Sequence, residues 1–322
     1  MCDHEGVATM TAGDRPIDTP TSADAAQLVR LSSELKNFQD IARYLVPRPG
    51  DTPQVEGVDV WGGSLPLNGS VGGDHIIYLD FSKRFDLPAR IAQATKLGRH
   101  DVAANLERCK KMAGIAVIDV AGHRITDAVL AAMLHQAFLL GALYELDMSG
   151  HITKRLFENL NTRFYQSSGA HKFLSLIYGE ISVDARFRFL SAAQPFPAVF
   201  SAREDRFMDV SPHLCVSFPP LGMMPSLAAI DRSTTTSQLG FKEHYELNEW
   251  WLMGAGDILL LHTDGLREHG TDDRPYFPTH LERTLSTVKH QSAREIFDAI
   301  KADLAAFAPP TDDISLVVIK RN

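Results

Sequence analysis

Four times along this chain an aspartate stands within three residues of a glycine, or beside a second acid, at the end of an apolar strand candidate. The segments are Val71-Gly72-Gly73-Asp74, Ala116-Val117-Ile118-Asp119-Val120-Ala121-Gly122-His123, Leu260-Leu261-His262-Thr263-Asp264-Gly265 and Thr311-Asp312-Asp313-Ile314-Ser315. A carboxylate at a buried strand end is costly to desolvate unless something compensates its charge. Taken singly, each segment reads as an ordinary turn, because Gly-Gly-Asp and Thr-Asp-Gly are common loops. Four in one domain are a stronger constraint. Such ends converging on one edge of a sandwich would make a concentrated negative site. Its natural partner is a divalent cation, and an all-oxygen donor set favours Mg²⁺ or Mn²⁺ over zinc. The glycines allow tight turns that bring a main-chain carbonyl to the same ion.

The remaining pattern predicts an α+β domain. Strand candidates are 58–61, 76–81, 115–120, 172–181, 186–191, 198–201, 258–263 and 314–320, β-branched or aromatic runs bounded by Gly, Pro, Asp or Ser. Helix candidates are 87–111, 126–146, 152–166, 279–288 and 293–306. Helices cluster mid-chain and late, which suits a sheet sandwich covered by helices better than a βαβ alternation. Residues 1–23 lack a hydrophobic period and are expected to be a disordered tail. Leu28, Leu31, Leu35, Phe38, Ala42 and Leu45 form a heptad seam, so 24–46 is expected to be an amphipathic linker or switch helix. It either docks on its own domain or pairs two chains. Residues 47–322 then make the main domain.

Composition narrows the function. Lys plus Arg number 32 against 40 Asp plus Glu, a net charge of −8. That balance argues against nucleic acid or an anionic membrane as the main partner. The start of the chain has neither a basic region nor an apolar core, so no signal peptide is expected. The most apolar stretch, 129–146, contains His135, Gln136 and Glu145 and reads as a buried amphipathic helix. Three widely separated cysteines, Cys2, Cys109 and Cys215, suit a reduced, cytoplasmic setting. The thirteen histidines form no zinc-type array, so His75, His123 and His262 are expected to pack or to support ligands. There is no P-loop and no Gly-x-Ser-x-Gly elbow.

In this order the four segments resemble the motif series of the metal-dependent protein phosphatases of type 2C, in the bacterial branch that includes SpoIIE and RsbU. Leu45-Val46-Pro47-Arg48-Pro49, Ser191-Ala192-Ala193-Gln194-Pro195-Phe196-Pro197 and Pro219-Pro220-Leu221-Gly222 also fall where that branch has its supporting motifs. The likeness runs from about residue 34 to the C-terminus. The resemblance implies an αββα sandwich of two antiparallel sheets covered by helices. It makes Asp74, Asp119, Asp264 and Asp312 the metal carboxylates, with Asp119 bridging two ions and the Val120 carbonyl adding an oxygen. Asp313 matches a position that is often Asn or Asp beside the ligand. The implied activity is hydrolysis of a phosphoserine or phosphothreonine protein by a water activated between two Mn²⁺ or Mg²⁺ ions. The implied substrate is a phosphorylated anti-sigma-factor antagonist in bacterial partner switching.

Three departures from the branch stand out. Gly122-His123-Arg124 replaces the usual Gly-x-Gly, so Arg124 either binds substrate phosphate or sits solvated at a helix start. The charged stretch 83–111 is expected to form one long helix, and the polar segment 226–247 a flap beside the site. Two other readings remain open on sequence: a catalytically weak metal-binding module that docks a phosphoprotein, and a hydrolase of another phosphoester.

Overall fold

The computed structural model describes residues 22–44, 47, 51–67, 72–121, 127–167, 172–227 and 235–322. The expected tail, apart from its last residues, and both His123 and Arg124 lie outside them. The chain divides into two compact units, Met1–Asp40 and Ile41–Asn322. The described residues of the first, 22–40, belong to helix α1 (Ser22–Arg43), on which Leu28, Leu31 and Leu35 are all exposed. The Phe38 and Ala42 side chains and Leu45, the other members of the expected seam, lie outside the described set.

In the second unit the elements follow as β1 (Val58–Leu65), β2 (His75–Asp80), α2 (Phe81–Arg84), α3 (Leu87–Lys96), α4 (His100–Cys109), β3 (Met112–Val120), α5 (Asp127–Ser149) and α6 (Lys154–Ser167). Then come β4 (Leu174–Ser182), β5 (Phe187–Ala192), β6 (Ala198–Ser201), β7 (Arg206–Phe207), β8 (Ser217–Phe218), β9 (Asn248–Trp250) and β10 (Ile258–His262). The chain ends with α7 (Asp264–Glu268), β11 (Gly270–Thr271), β12 (Arg274–Pro275), α8 (Thr279–Val288), α9 (Ala293–Phe307) and β13 (Ile314–Arg321).

Two sheets result. One has the order β1-β13-β10-β6-β7, and the other β2-β3-β4-β5-β8 with β9 also on β5. Period-two alternation decides what each strand face meets. Ile76, Ile115, Val117 and Ile177 from one sheet share a core with Val60, Leu259, Leu261, Val317 and Ile319 from the other. Their neighbours Ile77, Ala116, Ile118 and Leu176 face outward onto α2–α6. Leu260, Leu316 and Val318 face outward onto α8 and α9. The expected αββα sandwich is therefore the observed one. Pairing is antiparallel throughout the central strands, but β8 joins β5 in parallel through Ser191–Ser217 and Ala192–Phe218.

The single helix expected over 83–111 is broken. Leu97, Gly98 and Arg99 separate α3 from α4, and Gly98 adopts φ +70, which glycine accepts without steric cost. The apolar periodicity continues across the break, which is why the sequence reads as one helix. α5 is long and apolar enough to cross a membrane by length and composition. Ala131, Leu134, Phe138, Ala142 and Leu146 nevertheless bury one side of it in the outer core of the β2–β3–β4 sheet.

Candidate active site

The ladder registers bring the acidic strand ends together. His75 pairs with Ile118, so Asp74 and Asp119 lie opposite each other one step beyond the last β2–β3 pair. His262 pairs with Leu316, so Asp264, Asp312 and Asp313 lie at the matching end of β10–β13. Asp119 continues the face of β3 carrying Ile115 and Val117, and thus points into the mouth of the sandwich.

Polar bonds lock the two mouths together. Thr263 Oγ1 donates to Asp74 Oδ2 at 2.7 Å and accepts from Ser315 N at 2.9 Å. Asp313 is buried, with Oδ1 accepting from Leu67 N at 2.6 Å and Oδ2 from Gly73 N at 2.8 Å. Its carboxylate is thereby engaged as a brace between the ends of β13 and β2. A Cβ on Gly72 would overlap that carboxylate, which explains the glycine there. Asp312 Oδ1 accepts from Asp313 N at 2.8 Å.

Electrostatics mark the same place. Burial, then Asp119, hold the Asp74 carboxyl well above the usual carboxylate range, against hydrogen bonds from Thr263 and Ser315. Burial, then Asp264 and Asp312, push Asp119 up to about 7. Burial and Asp312 raise Asp264 as well. These acids are electrostatic neighbours, although among the described residues no three His, Cys, Asp or Glu side chains form a ready-made metal cluster. The donor set available is oxygen only, and crowded carboxylates of this kind suit a hard divalent cation.

Val120 is oriented by its successor. Ala121 N donates to Phe173 O at 3.1 Å on the β4 side. In a planar trans peptide the Val120 carbonyl then points the opposite way, toward the end of β2 and Asp74.

Several contributors escape a reading of the sequence. Ser175 pairs with Asp119 across β3–β4 and bonds Gln194 Oε1 at 2.9 Å, with Asp119 Oδ2 3.4 Å away. Gln194 Nε2 is buried without a partner. Turning that amide over would let Nε2 donate to Ser175 Oγ and free the hydroxyl proton for Asp119. Thr263 directly precedes Asp264 and Ser315 lies two residues after Asp313, and that proximity is the signal the sequence offers.

The histidines pack. His75 Nε2 lies 2.6 Å from His135 Nδ1 on α5, and burial holds both rings neutral, at about 3 for His75 and about 4 for His135. His262 is fully buried and its Nδ1 donates to Thr263 O at 3.0 Å. The described parts of 226–247 are clamped to α6. Glu158 accepts from Tyr245 N at 2.7 Å, from the buried Lys242 Nζ at 3.1 Å and from Ser226 Oγ.

A family model described as Stage II sporulation protein E (SpoIIE) matches residues 110–322, most of the chain. The chain belongs to the SpoIIE family. Among solved structures, this SpoIIE-family chain resembles the SiaA-PP2C domain of Pseudomonas aeruginosa (TM-score 0.62, 15% identity, covering 92% of this chain and 100% of that one). It also resembles the RsbU and RsbW domains of a Mycobacterium tuberculosis protein (0.56, 18%, 84% and 62%). A third is the PP2C phosphatase domain with a fragment of the regulatory domain of SpoIIE from Bacillus subtilis (0.55, 16%, 82% and 63%). The chain thus spans just over three-fifths of the length of the last two. At these identities the likeness shows the fold, that of PP2C phosphatase domains. No curated protein matches the sequence.

Proposed function

We propose that this SpoIIE-family domain is a metal-dependent serine/threonine protein phosphatase. The observation that carries the reading is the meeting of Asp74 and Asp119 from one sheet with Asp264 and Asp312 from the other: Asp119 raises the pKa of Asp74, Asp264 that of Asp119, and Asp312 those of both Asp119 and Asp264. These four carboxylates and the Val120 carbonyl would hold two ions, Mn²⁺ or Mg²⁺. Bound there, the ions would supply Lewis acidity: a more acidic water and a counter-charge for the phosphoryl group. Thr263 and Ser315 hold Asp74 in place, and Asp313 holds the backbone at Leu67 and Gly73. The described cysteines offer no covalent alternative. Cys109 is buried, with its thiol pushed up to about 12 by burial and Glu180, and the Cys215 thiol is also raised by burial.

On the same reading the substrate is a phosphorylated protein, with an anti-sigma-factor antagonist in cytoplasmic partner switching as the specific proposal. Arg124, outside the described residues, is the proposed contact for the substrate phosphate. Phosphate release from a phosphoserine protein should depend on Mn²⁺ or Mg²⁺ and stop with EDTA. Metal binding and phosphoprotein binding without any release would favour the docking module instead.

The α1 seam is proposed to pair two copies, since Leu28, Leu31 and Leu35 are exposed along one heptad face. Leu35→Asp should then lower the sedimentation coefficient and change turnover together. Unchanged values of both would rule the pairing out.

A further inference from the structure

Asp127, the first residue of α5, is 1% exposed, an unusual place for a carboxylate. Lys172 Nζ lies 2.5 Å from its Oδ1 and also donates to Ala121 O at 2.9 Å. That one ammonium therefore joins the two described residues that flank 122–126. Ala121 marks where the β3–β4 ladder stops. Its N–H still bonds Phe173 O, but its carbonyl takes the lysine instead of a ladder amide. Ala121 is held on both sides, and the preceding peptide carries the Val120 carbonyl.

We propose that Lys172 is a positioning residue for the metal site: by gripping the Ala121 carbonyl and the buried Asp127 together, it fixes the peptide that presents the Val120 carbonyl beside Asp119. This rests on the metal reading above. An alternative role is purely structural, with Lys172 serving only as the counter-charge that makes a buried Asp127 tolerable. The two roles separate in a double variant. Lys172→Met alone takes the ammonium away from a buried carboxylate and is expected to lower stability. Lys172→Met with Asp127→Ala removes both charges and restores a foldable helix start, but it leaves the Ala121 carbonyl unheld.

The experiment is calorimetric titration of Mn²⁺ into wild type, the double variant, Lys172→Arg and Asp119→Asn, with circular dichroism melts of each. The double variant is expected to melt near wild type yet bind Mn²⁺ about 10- to 100-fold more weakly, the usual penalty for losing a group that orients a ligand. Lys172→Arg keeps donors for both acceptors and should recover most of the affinity. A folded double variant with wild-type Mn²⁺ affinity would overturn the positioning role while leaving the metal reading intact. A wild type that binds Mn²⁺ no better than Asp119→Asn would overturn both.

Discussion

In EDTA at pH 8, Asp119→Asn is expected to melt above the wild type, whereas with saturating Mn²⁺ it should melt below it and release no phosphate. Burial and the neighbouring Asp264 and Asp312 push the Asp119 carboxyl from 3.8 to about 7. Ionising it in the metal-free fold therefore costs stability, with a ceiling on the order of 4 kcal/mol before relaxation and screening reduce it. Asparagine keeps the shape and removes the charge, so part of that penalty disappears. In a domain of this size each kcal/mol gained is worth roughly 2–4 °C in melting temperature. The sign extends to pH. The native carboxyl binds its proton more tightly than the unfolded one, so between about pH 4 and pH 7 the native state carries the extra proton. Metal-free wild-type stability should fall as pH rises through that window, and Asp74 and Asp264 are shifted in the same direction. The variant should show a shallower slope. Mn²⁺ must displace the proton, so apparent affinity should rise with pH up to about 7. A variant that melts lower in EDTA with an unchanged slope would mean that Asp119 is not crowded by like charge.

The fold was legible wherever burial is two-sided. Ile76–Ile77 and Ile115 to Ile118 alternate between the inter-sheet core and the helix-covered face, and such continuous apolar runs read directly as interior strands. What periodicity missed is what glycine or tertiary packing decides. Gly98 breaks a helix whose apolar spacing runs on, and β8 is too short to show its parallel direction in two residues. At the candidate site, the aspartates were legible because acids at apolar strand ends are uncommon. The bonds that span the two mouths were not, because Thr263 to Asp74 and Asp313 to Gly73 join positions far apart in sequence. Asp313 looks like one more acid in the sequence, and only its two backbone donors distinguish a brace from a free carboxylate. The Lys172–Asp127 pair was equally hidden, since neither residue lies in a motif.

Gly265→Ala is expected to be the most damaging single-methyl change near the site. Gly265 is absent from the positive-φ residues of the chain, so its requirement is space rather than conformation. A Cβ there would overlap the Asp313 carbonyl oxygen, a backbone atom in the turn that also carries Asp312. No rotamer change relieves that overlap. The ends of β10 and β13 must instead separate, although Thr263 N to Ser315 O at 3.1 Å and Ser315 N to Thr263 Oγ1 at 2.9 Å tie them together. Overpacking of this kind costs about 1–3 kcal/mol, and here the strain moves Asp264 away from Asp312. The expected result is a lower melting temperature together with a large loss of Mn²⁺ affinity and of phosphate release. Gly256→Ala is the matched control. Gly256 has φ +81 and only ordinary contact for a Cβ, against Ala202, so alanine there costs about 1–2 kcal/mol through backbone strain in a turn that carries none of the proposed ligands. Equal melting temperatures with activity lost only in Gly265→Ala would show that the spacing of these two strand ends, rather than stability, sets the site. Wild-type Mn²⁺ affinity in Gly265→Ala would show that Asp264 and Asp312 need not be held together for the metal to bind.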